Sequence, residues 1–286
     1  MATKYKPITQ NNDVATTRTL LHEAIPLTGT IVSGTYADGN IKNYSHGMFQ
    51  SVYDYPYLSS SANHIYDIAI GYSSKSSLSS SANKQNDKKI NMYNQMAQVL
   101  VGHDLTGAIL QFDRAGDTTD VGTKMNEVIF LNFSRLLTKD EIKKEAFTLT
   151  FLTGGTPGAR AVGVGGSEKV ISDYGATTTY KTNSPAGEYA ILYSGSAAVA
   201  NTGVGLVYYQ AVPQFGPPSG GEDTSSISKV FTAANITASC DGVRNAWKNL
   251  SFNNSTELNS TIYFCRVNHN EFNYSSNPTY LSASQI

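Results

Sequence analysis

Apolar residues in this chain come in short runs rich in β-branched and aromatic side chains, and that pattern commits most of it to strands. Runs of strand length occupy residues 28–35, 48–57 (broken at Pro56), 65–72, 127–133, 146–152, 189–193, 205–212, 229–234 and 261–267. The run at 127–133 is almost continuously apolar, which predicts a strand buried on both faces. Helical spacing is clearest at Ile90, Tyr93, Met96, Ala97, Leu100 and Val101, which Gly102 brings to a stop. Residues 84–89 read as a polar loop leading into that helix. A capping-box pattern from Thr138 to Glu141 predicts a second, short helix carrying Lys143 and Lys144.

The expected class is mainly β with a few short helices (α+β), built on a β-sandwich or barrel-like core. Residues 1–20 are polar and aperiodic, so they read as an extended arm ordered against a neighbour. Residues 21–286 read as one elaborated β-rich domain with flexible Gly-, Ser- or Pro-rich segments at 73–88, 153–167 and 214–226. The hexapeptide Leu-Ser-Ser-Ser-Ala-Asn occurs at 58–63 and 78–83. Two copies without a third do not make a repeat architecture.

Charge is the second constraint. Charged residues make up 15% of the chain, where about 25% is usual, the net charge is −1, and there are 18 tyrosines. Interface cores lose Lys, Glu and Asp and gain Tyr and Phe, and near-zero net charge favours association. From Lys248 to Ile286 this composition is most pronounced, with short apolar runs set in Asn, Ser, Thr and Tyr. Phe272, Tyr274 and Tyr280 are the expected interface anchors there, because they offer large apolar area, with hydroxyl tips on the two tyrosines, beside a single carboxylate, Glu271.

Other function classes find little support. With 21 basic and 22 acidic residues the chain has no field to attract nucleic acid, and no stretch approaches the roughly 20 apolar residues that span a bilayer. Cys240 and Cys265 read as two buried free thiols. The glycine-rich run 163–169 lacks phosphate-loop spacing, and there is no Gly-x-Ser-x-Gly elbow. His22, His46, His64, His103 and His269 are scattered without a metal-binding pair, and His103 follows a helix stop, where it satisfies the last carbonyls. Residues 113–117 form a charged turn lacking the glutamate of a calcium loop. The sequence therefore nominates no catalytic, metal or cofactor residues, and no pair of carboxylates for a glycosidase.

The runs 44–57, 89–100, 131–136, 183–189 and 261–281 together resemble a virion structural protein family of marine tailed phages, particularly contractile-tailed ones. The resemblance covers most of the chain. It implies a structural subunit of the particle, located in the virion after assembly in the host cytoplasm, whose partners are copies of itself and other virion proteins. Tail or baseplate is the expected position, ahead of neck or capsid. A receptor- or glycan-contacting tail protein is the alternative, and a cell-wall hydrolase ranks below both. Family members continue past a Ser-Gln-Ile ending, which implies truncation at Ile286.

Overall fold

The computed structural model describes residues 7–21, 38–80, 84–116, 123–133, 141–152, 168–199, 202–210, 212–215, 231 and 235–265. The chain divides into two units, one of Met1–Leu21 with Glu257–Ile286 and one of His22–Thr256. Residues 257–286, which the sequence reading joins to the domain, thus group with the N-terminal segment.

The fold is mainly β, as the short apolar runs predict. The terminal unit holds one helical turn, α1 (Gln10–Asp13), strand β1 (Val14–Leu21) and most of strand β14 (Asn254–Tyr263). The larger unit contains β2 (Ile41–Asn43), β3 (Phe49–Tyr53), β4 (His64–Tyr72), α2 (Lys84–Leu100), β5 (Glu127–Asn132), β6 (Glu141–Ile142) and β7 (Thr148–Leu152). It continues through β8 (Glu168–Ser172), α3 (Ala176–Thr179), β9 (Lys181–Ser184), β10 (Gly187–Ser194), β11 (Gly203–Tyr208), β12 (Val212–Phe215), α4 (Ile236–Ala246) and β13 (Trp247–Ser251).

One antiparallel sheet dominates this unit, in the order β13-β7-β8-β10-β11-β12-β5-β4-β3-β2, with β9 alongside β10. Alternate side chains enter two different cores, as a pleated strand requires. On β4, Tyr66, Ile68 and Ile70 face the first core while Ala69 faces the second; on β5, Ile129 and Leu131 oppose Val128 and Phe130 in the same way. This double burial explains why residues 127–133 read as a nearly continuous apolar run.

The first core brings β13, one edge strand of the sheet, against β4, the third strand from the other edge. Trp247 of β13 stacks on Tyr66 of β4 at 4.8 Å between ring centroids and meets Phe151 of β7 edge-on at 6.3 Å. A flat sheet would hold β13 and β4 about 34 Å apart, at about 4.8 Å per strand. The sheet therefore curls, in keeping with a barrel-like core, and α4 lays Ile236, Cys240 and Val243 against the same cluster. The polar edge of α4 is tied to β3: Arg244 Nε donates to Gln50 Oε1 at 3.0 Å, and Gln50 Nε2 donates to Asp241 Oδ1 at 3.0 Å.

The second core lies under α2, whose Tyr93, Ala97 and Leu100 pack with Ala69, Val128 and Phe130. Gly71 lets the helix come close, since a Cβ there would lie 2.7 Å from the Tyr93 backbone nitrogen and 2.9 Å from the Lys89 carbonyl oxygen. At the other end, Gly102 takes φ +94° and donates its N–H to the Ala97 carbonyl at 3.0 Å, closing the helix where the sequence predicts.

Several expectations are corrected. The helix begins at Lys84, so the polar residues 84–89 form its first turns rather than a loop. Residues 73–80, expected to be flexible, make successive turns and a 3₁₀ helix, Ser77–Ser80, held by local bonds such as Ser79 Oγ to the Ser76 carbonyl at 2.7 Å. Lys143 and Lys144 follow strand β6 in a turn instead of riding a helix, with Glu145 at φ 63°. The run 205–212 is the end of β11, a turn and the start of β12. Cys240 is buried as expected, but Cys265 is exposed. The strands expected at 28–35 and the segment 153–167 lie outside the described residues, as does most of 214–226.

Candidate assembly interface

Phe272, Tyr274 and Tyr280 lie outside the described residues. The aromatic, low-charge segment that leads to them does not. Strand β14 pairs with β1, and just beyond it Phe264 donates its backbone N–H to the Asp13 carbonyl at 2.7 Å. The other end of the arm is turned by Thr9, whose N–H and hydroxyl both donate to Asp13 Oδ2 at 2.9 Å. The ordered pairing of 14–21 uses the β-branched content of Val14, Thr16, Thr17 and Thr19, a strand signal that the polarity of residues 1–20 masks in sequence.

Leu258, Ser260 and Ile262 are alternate positions of β14 and share a face, with Phe264 continuing the same alternation. Leu258, Ile262 and Phe264 are 45%, 44% and 54% exposed, and Tyr263 on the opposite face is 61% exposed. Beyond its short pairing with β6 at Asn254 and Ser255, β14 is bonded among the described strands only to β1, and this stretch holds large side chains out of any core among the described residues. Exposed apolar groups clustered this way mark interaction sites.

Among the described residues of the larger unit, further exposed apolar side chains cluster in two places. Tyr55, Tyr57 and Leu58 sit on the loop joining β3 to β4. That loop is pinned: Asp54 accepts from the Asn63 N–H at 2.6 Å and from Asn63 Nδ2 at 2.8 Å, and Tyr57 donates its N–H to the Gly39 carbonyl at 3.0 Å. The second group, Val99, Leu105 and Ile109, lies at the C-terminal end of α2. There a cleft of about 780 Å³ is lined by Val101, His103, Leu105, Leu110, Asn183 and Pro185 among others.

Among the described residues, none of these places assembles recognisable catalytic chemistry. His103 is exposed in the cleft wall, and its backbone bridges to Ile109. Asp104 accepts from the Thr106 hydroxyl and N–H, each at 2.7 Å, and from the Ala108 N–H at 2.9 Å, so its carboxyl is held below the usual range by these local donors. His64 Nε2 lies 2.7 Å from Asp67 Oδ1, and Ser51 Oγ donates to that same oxygen at 2.5 Å. The serine hydroxyl is thus bound to the carboxylate rather than to the imidazole, the reverse of what proton removal from a nucleophile needs. Among the described residues no three His, Cys, Asp or Glu side chains converge to hold a metal ion. No described helix is long and apolar enough to cross a membrane.

Buried ionisable groups serve the fold. Lys89 donates to the Phe231 carbonyl at 2.9 Å and lies over the Tyr72 ring at 5.6 Å, and burial lowers its pKa. Asp173, fully buried, accepts from the N–H groups of Glu145 at 2.8 Å and Phe147 at 3.1 Å and from the Tyr209 hydroxyl at 3.0 Å. Desolvation outweighs those three donors and pushes its pKa up to about 6. Compared with protein-family models, curated proteins and solved structures, the chain matches none of them.

Proposed function

We propose that this chain is a structural subunit of a tailed-phage particle, in its tail or baseplate, that works through contacts with copies of itself and with other virion proteins. The observation that carries the reading is the exposed apolar face of the terminal ribbon, Leu258, Ile262 and Phe264, on a unit that lacks a covering layer of its own among the described residues. Low overall charge and the resemblance in wording to virion structural proteins support it. The role is mechanical, with no catalytic step, cofactor, nucleic acid or membrane.

The test is incorporation. A subunit with Leu258, Ile262 and Phe264 changed to Ser is expected to fold, by circular dichroism, and to be missing from purified particles. Normal incorporation of that variant, or absence of the unaltered chain from particles, overturns the reading. A second reading, a receptor- or glycan-contacting tail protein, draws on the pinned loop that presents Tyr55, Tyr57 and Leu58 beside Ser59, Ser60 and Ser61. Rigid aromatic anchors flanked by small hydroxyl side chains are the composition of adaptable recognition loops. Particles that assemble with Tyr55 and Tyr57 both changed to Ala but no longer adsorb to cells would favour it.

A further inference from the structure

We propose that one face of β2, β3 and β4 binds a saccharide, with Asp67 accepting from its hydroxyls and aromatic rings on either side taking its C–H faces. The proposal rests on the second reading, of a receptor- or glycan-contacting protein, and names the ligand class and the residues that hold it.

Lys42, Ser51 and Asp67 stand opposite one another across the three strands. Val52, Tyr66 and Ile68 enter the first core, so this row lies on the other face of the sheet, next to Ala69, which packs under α2. The Asp67 side chain is 22% exposed. Its Oδ1 is committed, accepting from Ser51 Oγ at 2.5 Å and lying 2.7 Å from His64 Nε2. Among the described residues no group bonds its Oδ2, and that atom is not buried, so one carboxylate oxygen stands open as an acceptor. A β-bulge makes the arrangement. Val52 pairs with Tyr66 but Tyr53 with His64, so Ile65 is the extra residue and His64 comes onto the Asp67 face. Tyr44 extends the network, with its hydroxyl 3.2 Å from Ser51 Oγ, and the carboxylate is therefore held in place before any ligand arrives.

Aromatic rings flank the row on both sides. Phe49 and Tyr53 are each two positions from Ser51 along β3, about 7 Å away in opposite directions. Tyr44 and His46 stack at 5.2 Å, 9° from parallel, with Phe49 4.7 Å from Tyr44. On the other side Tyr53 lies 5.2 Å from His64 and 6.2 Å from Tyr57. These rings offer flat apolar surface, while Asp67 and the Lys42 ammonium, 5.0 Å from the Tyr44 ring centre, offer an acceptor and donors. A pyranose has the matching pair of features, an apolar C–H face and a rim of hydroxyls that both donate and accept. A protein partner suits the face less, because it would bury the open Asp67 oxygen and have to supply a charge or donor aimed at it. Binding without cleavage is expected: Asp54, just past β3, spends both carboxylate oxygens on Asn63 and forms no hydrolytic pair with Asp67.

The experiment titrates the full chain with a panel of soluble neutral oligosaccharides built from hexoses, N-acetylhexosamines and deoxyhexoses, and the parent is expected to bind at least one of them. Asp67→Asn keeps an oxygen for Ser51 and His64 but turns the open acceptor into a donor. His46→Ala removes an exposed ring from the aromatic platform. Each variant is expected to keep the circular dichroism spectrum of the parent and to bind at least about tenfold more weakly. A parent that binds no member of the panel overturns the proposal, and so does a folded Asp67→Asn variant with parental affinity. Should Asp67→Asn fail to fold, unchanged binding by His46→Ala overturns it instead. Loss of adsorption by the Tyr55 and Tyr57 variant particles, with no saccharide bound by the parent chain, would sink this proposal and leave the receptor-contact reading intact. A saccharide bound through Asp67 by a chain whose Tyr55 and Tyr57 variant particles adsorb normally would do the reverse.

Discussion

Tyr66 and Trp247 stack with their rings 4.8 Å apart and 22° from parallel, although β5, β12, β11, β10, β8 and β7 lie between their strands in hydrogen-bonding order. This contact holds the curl of the sheet. Trp247 is fully buried and also touches Phe151, so truncating it removes the link between β13 and the distant strand β4 as well as a large transfer term. Trp247→Ala is expected to cost about 3–5 kcal/mol. Denaturant unfolding followed by far-ultraviolet circular dichroism measures it. A loss under about 1 kcal/mol would show that the curl is held elsewhere.

The seat of α2 on β4 depends on the missing side chain at Gly71. The atoms that a Cβ would meet are the backbone nitrogen of Tyr93 and the backbone oxygen of Lys89, neither of which can swing aside. Gly71→Ala is expected to destabilise by about 1–3 kcal/mol, as overpacking does, although alanine favours most backbones over glycine. Leu100→Ala, farther along the same helix and buried in the second core, is expected to cost about 2–5 kcal/mol. Thermal melts of the two variants report both. A neutral Leu100→Ala would mean that the end of α2 does not depend on that core.

What was legible in the sequence follows from how many signals a segment carries. Residues 65–72, 127–133 and 90–101 show period and termination together, and the structure places strands and a helix there. Helix α4 was missed although its signals exist: Asn235 caps it by accepting the Ala238 N–H at 2.8 Å, and Ile236, Cys240 and Val243 fall at helical spacing. Polar residues between those positions, Asp241 and Arg244 above all, look solvent-facing until Gln50 supplies their partner from a strand nearly two hundred positions away. Such a partner has no local trace. The capping box at 138–141 failed for the opposite reason, since a local pattern was overridden by pairing of Glu141 with Ser255 and Ile142 with Asn254. Low charge and aromatic content near the C-terminus were legible as composition, while the anchors expected from them, Phe272, Tyr274 and Tyr280, lie outside the described residues. The pairing of β14 with β1 was not legible, because contacts between chain termini leave no periodicity to read.

The two thiols separate the two units chemically. Cys240 is fully buried, with its thiol pointing at the Ile68 carbonyl 3.4 Å away, and burial raises its pKa, whereas Cys265 is exposed. A thiol reagent added to the native chain is expected to modify Cys265 within minutes and to reach Cys240 only after unfolding. Mass mapping of the modified peptides identifies the site. Rapid modification of Cys240 in the native protein would contradict its place in the first core.

Asp173 gives the larger unit a dependence on pH whose sign is unusual for a carboxylate. Its pKa is pushed up to about 6 from an ordinary 3.8, chiefly by burial, so the folded state binds a proton that the unfolded chain has already lost between those values. Stability on this account is greatest below pH 4, falls as pH rises from about 4 to about 6, and is constant above. The shift corresponds to about 3 kcal/mol as an order of magnitude. Other carboxylates titrate in the same window, so the measurement is the difference between the parent and Asp173→Asn. Asparagine cannot titrate, but its amide nitrogen cannot accept either the Phe147 or the Glu145 N–H, so the variant is expected to lose about 1–3 kcal/mol at pH 4. As pH rises to 7 the parent loses the extra stability of its protonated acid and the gap between the two narrows. A gap that stays constant or widens between pH 4 and pH 7 would show that the Glu145, Phe147 and Tyr209 donors outweigh desolvation at Asp173.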